Sequence, residues 1–449
     1  MSNGLSSLYK SEDWWAVWFG VVIFALTLGG LISRIPKIGS WTDNPLNAFA
    51  SFADTGEVSG SIVLSLLGLM LGLGILTTIG ISFMKAAHPG RYFAGFVGVF
   101  VLACVAYWIA HQTNIKYWGL SYALWALLVG LLISNTVGTP KWLRAGAQTE
   151  LFIKTGLVLM GAEVLFRKII SLGPPGLMVA WIVTPVVVVF MFQYGKRYLK
   201  MTNLHLVIII AAATSVCGVS AAIATAAACC AKKEDLTLAV GMTLIFTVLM
   251  MFFMPLAISG LGMDPILGAA WMGGTIDSTG AVVAAGSMLG PDAEKVAAVV
   301  KMIQNVLIGV LAFAVALYWV TVVDRQQRRK EDPSCAAPSA IEIWHRFPKF
   351  VLGFVGASLF FSFVLVPEAS GGYEAVEADY IKPVTKVLRG WFFCMAFAAI
   401  GLESNFRDLA SRMERGKPMI LYAFGQSFNL ILTLLVAYLA FMVFFPGAI

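Results

Sequence analysis

The stretch "GGTIDSTGAVVAAG", residues 273–286, decides how this chain is read. It puts Thr275, Asp277, Ser278 and Thr279 together between glycines, in the middle of a long apolar region. A charged side chain at bilayer depth costs at least about 2.5–3.5 kcal/mol, so Asp277 needs a partner or a task. The surroundings make that depth the expected one. The chain has 449 residues, 59% hydrophobic and only 12% charged, with a mean hydropathy of +0.84. Soluble domains carry about 25% charged residues. Apolar windows of about 18 residues or more recur from end to end, each long enough to span a bilayer as a helix. Backbone polar groups in lipid must be satisfied within the segment, so runs of this length mean helices; a membrane β-barrel would show short alternating segments. The expected fold class is therefore an all-α polytopic membrane protein in contact with the lipid bilayer.

About thirteen spans are expected, near 14–33, 60–84, 92–111, 118–136, 149–165, 177–195, 204–230, 236–258, 266–289, 295–323, 347–366, 385–402 and 419–445. The N-terminal stretch "MSNGLSSLYKSED" lacks a small-residue cleavage site before its apolar run, so the first span reads as an uncleaved helix. The net charge of +7 does not suggest nucleic acid. Basic residues cluster in alternate loops, as the positive-inside rule predicts. Lys85 and Arg91, Lys141 and Arg144, Lys196, Arg197 and Lys200, and the run "DRQQRRKED" fall on one side with Arg412, Arg415 and Lys417. The acidic loop "PEASGGYEAVEADYIKP" falls on the other. The expected orientation places the N-terminus in the cytoplasm and the C-terminus outside, in the inner (cell) membrane. The charge-balanced "KKED" at 232–235 falls outside.

An internal repeat is visible. "IKTGLVLMGAEVLFRKI" and "FFCMAFAAIGLESNFRDL" share G-x-E-x-x-F-R, with Gly161, Glu163, Phe166 and Arg167 set against Gly401, Glu403, Phe406 and Arg407, 240 residues apart. These copies, near 156–169 and 396–409, fall in the fifth and twelfth spans and so face opposite sides. A repeat that inverts its topology is a signature of secondary transporters. The local alternative is that each Glu pairs with the Arg four residues on, at a helix end near the headgroups.

Two segments read as interrupted helices. In "AAATSVCGVSAAIATAAA", residues 211–228, small and hydroxylated residues replace bulky aliphatics around Cys217-Gly218; the second is 273–286, around Thr279-Gly280. Close helix packing alone could select such residues. Unwinding would instead free amides whose positive helix end suits an anion, and carbonyls that suit water, Na⁺ or substrate oxygens. Broken helices meeting at mid-membrane form transporter sites. The tenth span supplies a partner for Asp277: in "EKVAAVVKMIQNVLIGVLAF", Lys301, Gln304 and Asn305 lie three and four residues apart and share a face. Lys301 could instead snorkel to the surface.

The run Thr214–Pro255 ("TSVCGVSAAIATAAACCAKKEDLTLAVGMTLIFTVLMMFFMP"), "KTGLVLMGAEVLFRKI" and "GGTIDSTGAVVAAG…AAVVKMIQN" together resemble the YeiH-type sulfate exporter family of bacterial inner-membrane proteins. The resemblance covers about residues 120–445. It makes residues 1–90 an N-terminal addition of extra transmembrane helices and 91–449 the transporter domain. It implies the wider cation–proton antiporter and anion-transporter fold: inverted repeats, crossed broken helices, a panel and a core, and a homodimer formed through the panel. The C-G-x-S pattern with its following polar loop is similar to the broken-helix hairpin of bile-acid/sodium symporters. One departure stands out: where typical members carry a His-Glu pair and a following Gln, this chain has Asp277, Ser278 and Ala281. Counting also makes the two broken segments parallel rather than inverted.

The expected function is secondary active transport of a small anion, such as sulfate, sulfite or an organic anion, by alternating access. Substrate would bind at Thr214, Ser215, Cys217, Gly218, Ser220, Thr275, Asp277, Ser278, Thr279, Gly280 and Lys301. Coupling to H⁺ or Na⁺ would run through Asp277, Lys301, Gln304 and Asn305. The alternative is a Na⁺(cation)/H⁺ antiporter using Asp277 and Lys301. An enzyme is not expected: the four histidines show no HExxH spacing, and no ATP-binding motif argues for a pump. The six cysteines show no CxxC spacing, so neither a metal site nor a disulfide framework is expected, and no cofactor beyond a coupling Na⁺ or H⁺.

Overall fold

The computed structural model describes residues 7–52, 58–117, 122–164, 166–323, 344, 347–369, 372–405 and 416–446. Its principal helices, in chain order, are α1 Glu12–Leu28, α2 Val63–Met84, α3 Pro89–Ala110, α4 Tyr122–Thr136, α5 Lys141–Gly146 and α6 Thr149–Met160. Then come α7 Ile169–Tyr198, α8 Leu204–Ser215, α9 Gly218–Cys229, α10 Lys233–Gly260, α11 Pro265–Thr275, α12 Thr279–Leu289 and α13 Pro291–Tyr318. The last are α14 Phe350–Phe360, α15 Lys386–Glu403 and α16 Lys417–Tyr438. One short antiparallel hairpin, β1 Ala50–Phe52 with β2 Val58–Ser61, is the only sheet among the described residues. Among those residues seven helices are long and apolar enough to cross a membrane, and five apolar helices are shorter. The expected span at 204–230 is two helices, and so is the one at 266–289.

The chain forms two compact units: Met1–Arg167 with Lys349–Asn405, and Lys168–Pro348 with Phe406–Ile449. The division does not follow the sequence boundary at residue 90. In the first unit the N-terminal segment is bound into the rest. Lys154 of α6 reaches Asp13 at 3.0 Å, Glu12 at 3.4 Å and Glu150 at 3.6 Å. A side chain at Gly353 of α14 would meet Val158 and Val17 at 2.9 Å, so α1, α6 and α14 share one close-packed seam.

The glycine and glutamate of both copies of the repeat motif lie in the first unit. Gly161 lies against the Phe354 carbonyl of α14; Gly401 lies against the Leu127 carbonyl and Gly130 of α4. No Cβ fits at either place, which is why glycine stands there. Three residues past each glycine a serine from the facing helix captures a freed carbonyl. Ser358 Oγ donates to Val164 O, and Ser134 Oγ donates to Ser404 O at 3.1 Å and Gly401 O at 2.9 Å. Glu163 does not pair with the Arg four residues on, as one reading expected. Glu163 is buried and forms an ion pair with Arg389 of α15, Oε1 to Nε 2.8 Å, while Arg167 is exposed. A carboxylate buried in the seam needs a partner there, and an exposed Arg cannot supply one. Glu403 accepts from Thr149 Oγ1 at 3.1 Å. Phe406 and Arg407 lie outside the described residues.

Cys104, Cys217, Cys229 and Cys394 are free thiols, and no group of His, Cys, Asp and Glu that could hold a metal occurs among the described residues.

Candidate functional site

The second unit carries the two breaks. Helix α8 ends at Ser215, Val216 and Cys217 are extended or irregular, and α9 restarts at Gly218. Helix α11 ends at Thr275, Ile276-Asp277-Ser278 are extended, and α12 restarts at Thr279. Between them the 28-residue α10 is about 42 Å long, enough to return across a bilayer. The breaks touch. A Cβ at Gly218 would meet the Asp277 carbonyl oxygen at 3.1 Å and Asp277 Cβ at 3.3 Å, besides the Thr243 methyl. Only glycine lets one break rest on the other.

Breaking a helix frees carbonyls that would cost several kcal/mol each if left bare in an apolar interior. Two helices supply the donors. From α13, Lys301 Nζ donates to Val216 O and to Gln304 Oε1 at 2.6 Å. Gln304 Nε2 in turn donates to Ser215 O and Gly274 O, each at 3.0 Å, joining the ends of α8 and α11 through one amide. From α16, Asn429 Nδ2 donates to Thr214 O at 2.9 Å, and Gln426 Nε2 donates to Thr275 O at 3.2 Å. Thr184 of α7 adds a donor to Ser215 O at 3.0 Å. Thr433 Oγ1 fixes Asn429 by donating to its Oδ1 at 2.9 Å.

Asp277 is 1% exposed, and its carboxylate Oδ2 accepts from the Tyr422 hydroxyl of α16. Lys301 is near enough for its charge to act on Asp277, but no direct ion pair joins the two among the described residues. The lysine is fully buried and does not snorkel. Its hydrogen bonds go to the negative end of α8, whose dipole and freed carbonyl attract a cation. Asn305 Nδ2 donates to Thr279 Oγ1 at 3.0 Å, at the start of α12.

The expected substrate residues thus separate by role. Thr214, Ser215 and Thr275 turn their hydroxyls back on Ile210 O, Ala211 O and Trp271 O of their own helices. That is the usual local alternative for such residues. Their carbonyls face the crossing, where Thr214 O, Ser215 O and Thr275 O accept from Asn429, Gln304 and Gln426, and the Thr214 hydroxyl also reaches Tyr422. Ser220 is exposed, away from the buried crossing. Cys217 and Ser278 are half-buried; Gly218, Thr279 and Gly280 are buried at the restarts of α9 and α12. Neither restart receives a side-chain cap. Among the described residues, the buried oxygens without a hydrogen-bond partner include Asp277 Oδ1, Asn305 Oδ1 and Gln426 Oε1. Sequence reading missed Thr184, Tyr422, Gln426, Asn429 and Thr433. The last four carried a signal, since they recur at helical spacing within one apolar span and make a polar stripe.

Comparison with known proteins agrees with a membrane protein. The family described as "Conserved hypothetical protein 698" matches residues 94–422. The UPF0324 membrane protein of Rhodopirellula baltica is 53% identical over 415 residues, 92% of this chain and 73% of the relative. One from Nitratidesulfovibrio vulgaris is 53% identical over 411 residues, 91% of this chain and 70% of its own length. That of Nitrosomonas europaea is 29% identical over 469 residues, 93% of each chain. No solved structure matches the chain.

Proposed function

The chain belongs to the UPF0324 membrane-protein family, and from that premise we propose that it is a secondary active transporter of a small anion whose translocation site is the crossing of the second unit. The observation that carries the reading is the contact of Gly218 with Asp277, where two broken helices meet around a buried carboxylate. Two interrupted membrane helices joined at their breaks form a substrate site far more readily than a packing device, because bare backbone at that depth is tolerated only where it lines a site. The uncapped starts of α9 and α12 suit an anion such as sulfate, sulfite or a carboxylate. Asp277 is the coupling group, exchanging H⁺ or holding Na⁺ as access alternates. The matched ends of the G-x-E-x-x-F-R copies support an inverted repeat. The inner membrane, with the N-terminus cytoplasmic, is the location we infer from the loop charges.

One observation favours a second reading, a cation/proton antiporter. The oxygens left without partners at Asp277, Asn305 and Gln426 are acceptors, and acceptors hold cations.

The test is uptake of radiolabelled sulfate and sulfite into proteoliposomes, wild type against Asp277→Asn, under imposed pH and Na⁺ gradients. Wild type is expected to move one of these anions in response to a gradient, and the Asn variant to lose that dependence. An imposed Na⁺ gradient that shifts lumenal pH, with neither anion moving, would replace the first reading by the second.

A further inference from the structure

The first unit holds a cavity of about 270 Å³ with no part in the crossing, lined by Lys37, Ile38, Tyr107, His111, Tyr122, Lys386, Val387, Arg389, Gly390 and Trp391. Its chemistry is one-sided. Lys37, Lys386 and Arg389 line it and no carboxylate does. Arg389 is matched by Glu163 behind the wall at 2.8 Å. Lys37 and Lys386 have no ion pair among the described residues, and both are exposed to the cavity mouth. Burial, followed by the neighbouring cations Lys386 and Arg34, holds the Lys37 ammonium below the ordinary lysine range. A concave surface that gathers like charges without a counter-charge is strained until an anion fills it.

The rest of the wall is aromatic and held in place. Tyr107 stacks on Tyr122 at 4.8 Å and lies against Trp391 at 4.9 Å; Trp391 stacks on Phe100 at 4.9 Å. His111 Nδ1 donates to Tyr107 O at 2.9 Å. The loop that carries Lys37 is pinned at two points, by Ile35 N donating to Pro383 O at 3.1 Å and Trp391 Nε1 donating to Pro36 O at 3.2 Å. The cation at the mouth is therefore fixed against the start of α15. Gly390 is the floor, where any side chain would strike the Tyr107 hydroxyl at 2.7 Å.

We propose that this cavity binds a small organic anion, a carboxylate or sulfonate on a flat apolar body, with Lys37 and Lys386 at the charged end and Tyr107, Tyr122 and Trp391 along the body. A bare inorganic oxyanion would leave the aromatic wall unused, and a neutral aromatic would leave the lysines unmatched. The volume suits a single-ring acid, at the small end of ligand pockets.

The experiment uses the purified full-length protein in nanodiscs, titrated with benzoate and benzenesulfonate by calorimetry, with benzyl alcohol and sulfate as comparison probes. Saturable binding of both organic anions is expected. The double variant Lys37→Gln/Lys386→Gln should weaken it at least about tenfold. Lys37→Arg/Lys386→Arg should retain it, and Lys141→Gln, at an exposed lysine elsewhere in the unit, should leave it unchanged. Benzyl alcohol or sulfate binding as tightly as benzoate would overturn the proposal, and so would undiminished binding by the double Gln variant. Because both lysines are exposed, loss of fold does not confuse the result; a thermal midpoint recorded with each titration checks it. The outcome is independent of the crossing in the second unit.

Discussion

The two units solve one problem, the free end of a helix in an apolar interior, in two ways. In the first unit the ends of the motif helices are closed tightly. Glycine brings backbone onto backbone, and a serine hydroxyl from the facing helix takes the last carbonyl. In the second unit the ends lie mid-helix and are closed from a distance, by long amides and an ammonium reaching from α13 and α16. The first arrangement leaves little room to move. The second leaves buried oxygens of Asp277, Asn305 and Gln426 unfilled, and the amide of Gln304 links the ends of two helices. On the proposed function, the first way suits a scaffold and the second a site that binds and releases.

The sharpest way to break this comparison is in the scaffold. Gly401→Val should force α15 off the Leu127 carbonyl and Gly130. Overpacking against rigid backbone should cost about 3 kcal/mol or more, read as a fall in the denaturation midpoint in detergent. A wild-type midpoint would mean the seam is not close-packed. Next comes Lys301→Met, which strips a donor from Val216 O and Gln304 Oε1. Two buried acceptors left bare should cost about 2–3 kcal/mol, and transport should fail with them. Retained stability would mean that water replaces the ammonium and that the lysine serves substrate rather than structure.

Gly218→Ala is the finer probe. Its methyl would press on a Thr243 side chain, which can turn, and on the Asp277 carbonyl, which cannot move without the break. A stability loss of about 1–2 kcal/mol with a disproportionate loss of transport would separate site from scaffold. Equal losses in both would merge them.

Much of this was legible in the residues. Composition gave the membrane helices, because burying backbone in lipid leaves few alternatives. Gly-rich, hydroxyl-rich runs marked both breaks, because only small residues let broken helices approach. Asp277 stood out because an isolated acid in an apolar run is costly, and it is buried at a break. Its partner was not legible. Opposite charge singled out Lys301, but a freed carbonyl at a helix end competes for the same ammonium, and the carbonyl is nearer. Tyr422 sits 145 residues from Asp277, and chain distance hides such pairs. The Glu163–Arg389 pair was hidden for the same reason, and the local Glu-Arg spacing pointed elsewhere.

The smallest expected effect lies at the cavity of the first unit, and pH gives its sign. Lys37 holds its proton less tightly in the folded chain than in the unfolded one, because of burial and the nearby Lys386 and Arg34. Below the folded-state value the lysine is charged in both states, and the fold bears the whole cost of crowding it. As pH rises from there toward the unfolded value, about 10.4, the unfolded chain binds more protons and wild-type stability should gain. Lys37→Gln removes the cost altogether. The variant should therefore unfold at a slightly higher temperature than wild type at pH 7, and the gap should close toward pH 10. A variant less stable at pH 7, or a gap indifferent to pH, would mean that the cluster is already matched. Benzoate gives the complementary measurement, since an anion that fills the cavity should stabilise wild type more than the variant. The cost that distinguishes them without ligand is then the one the ligand offsets.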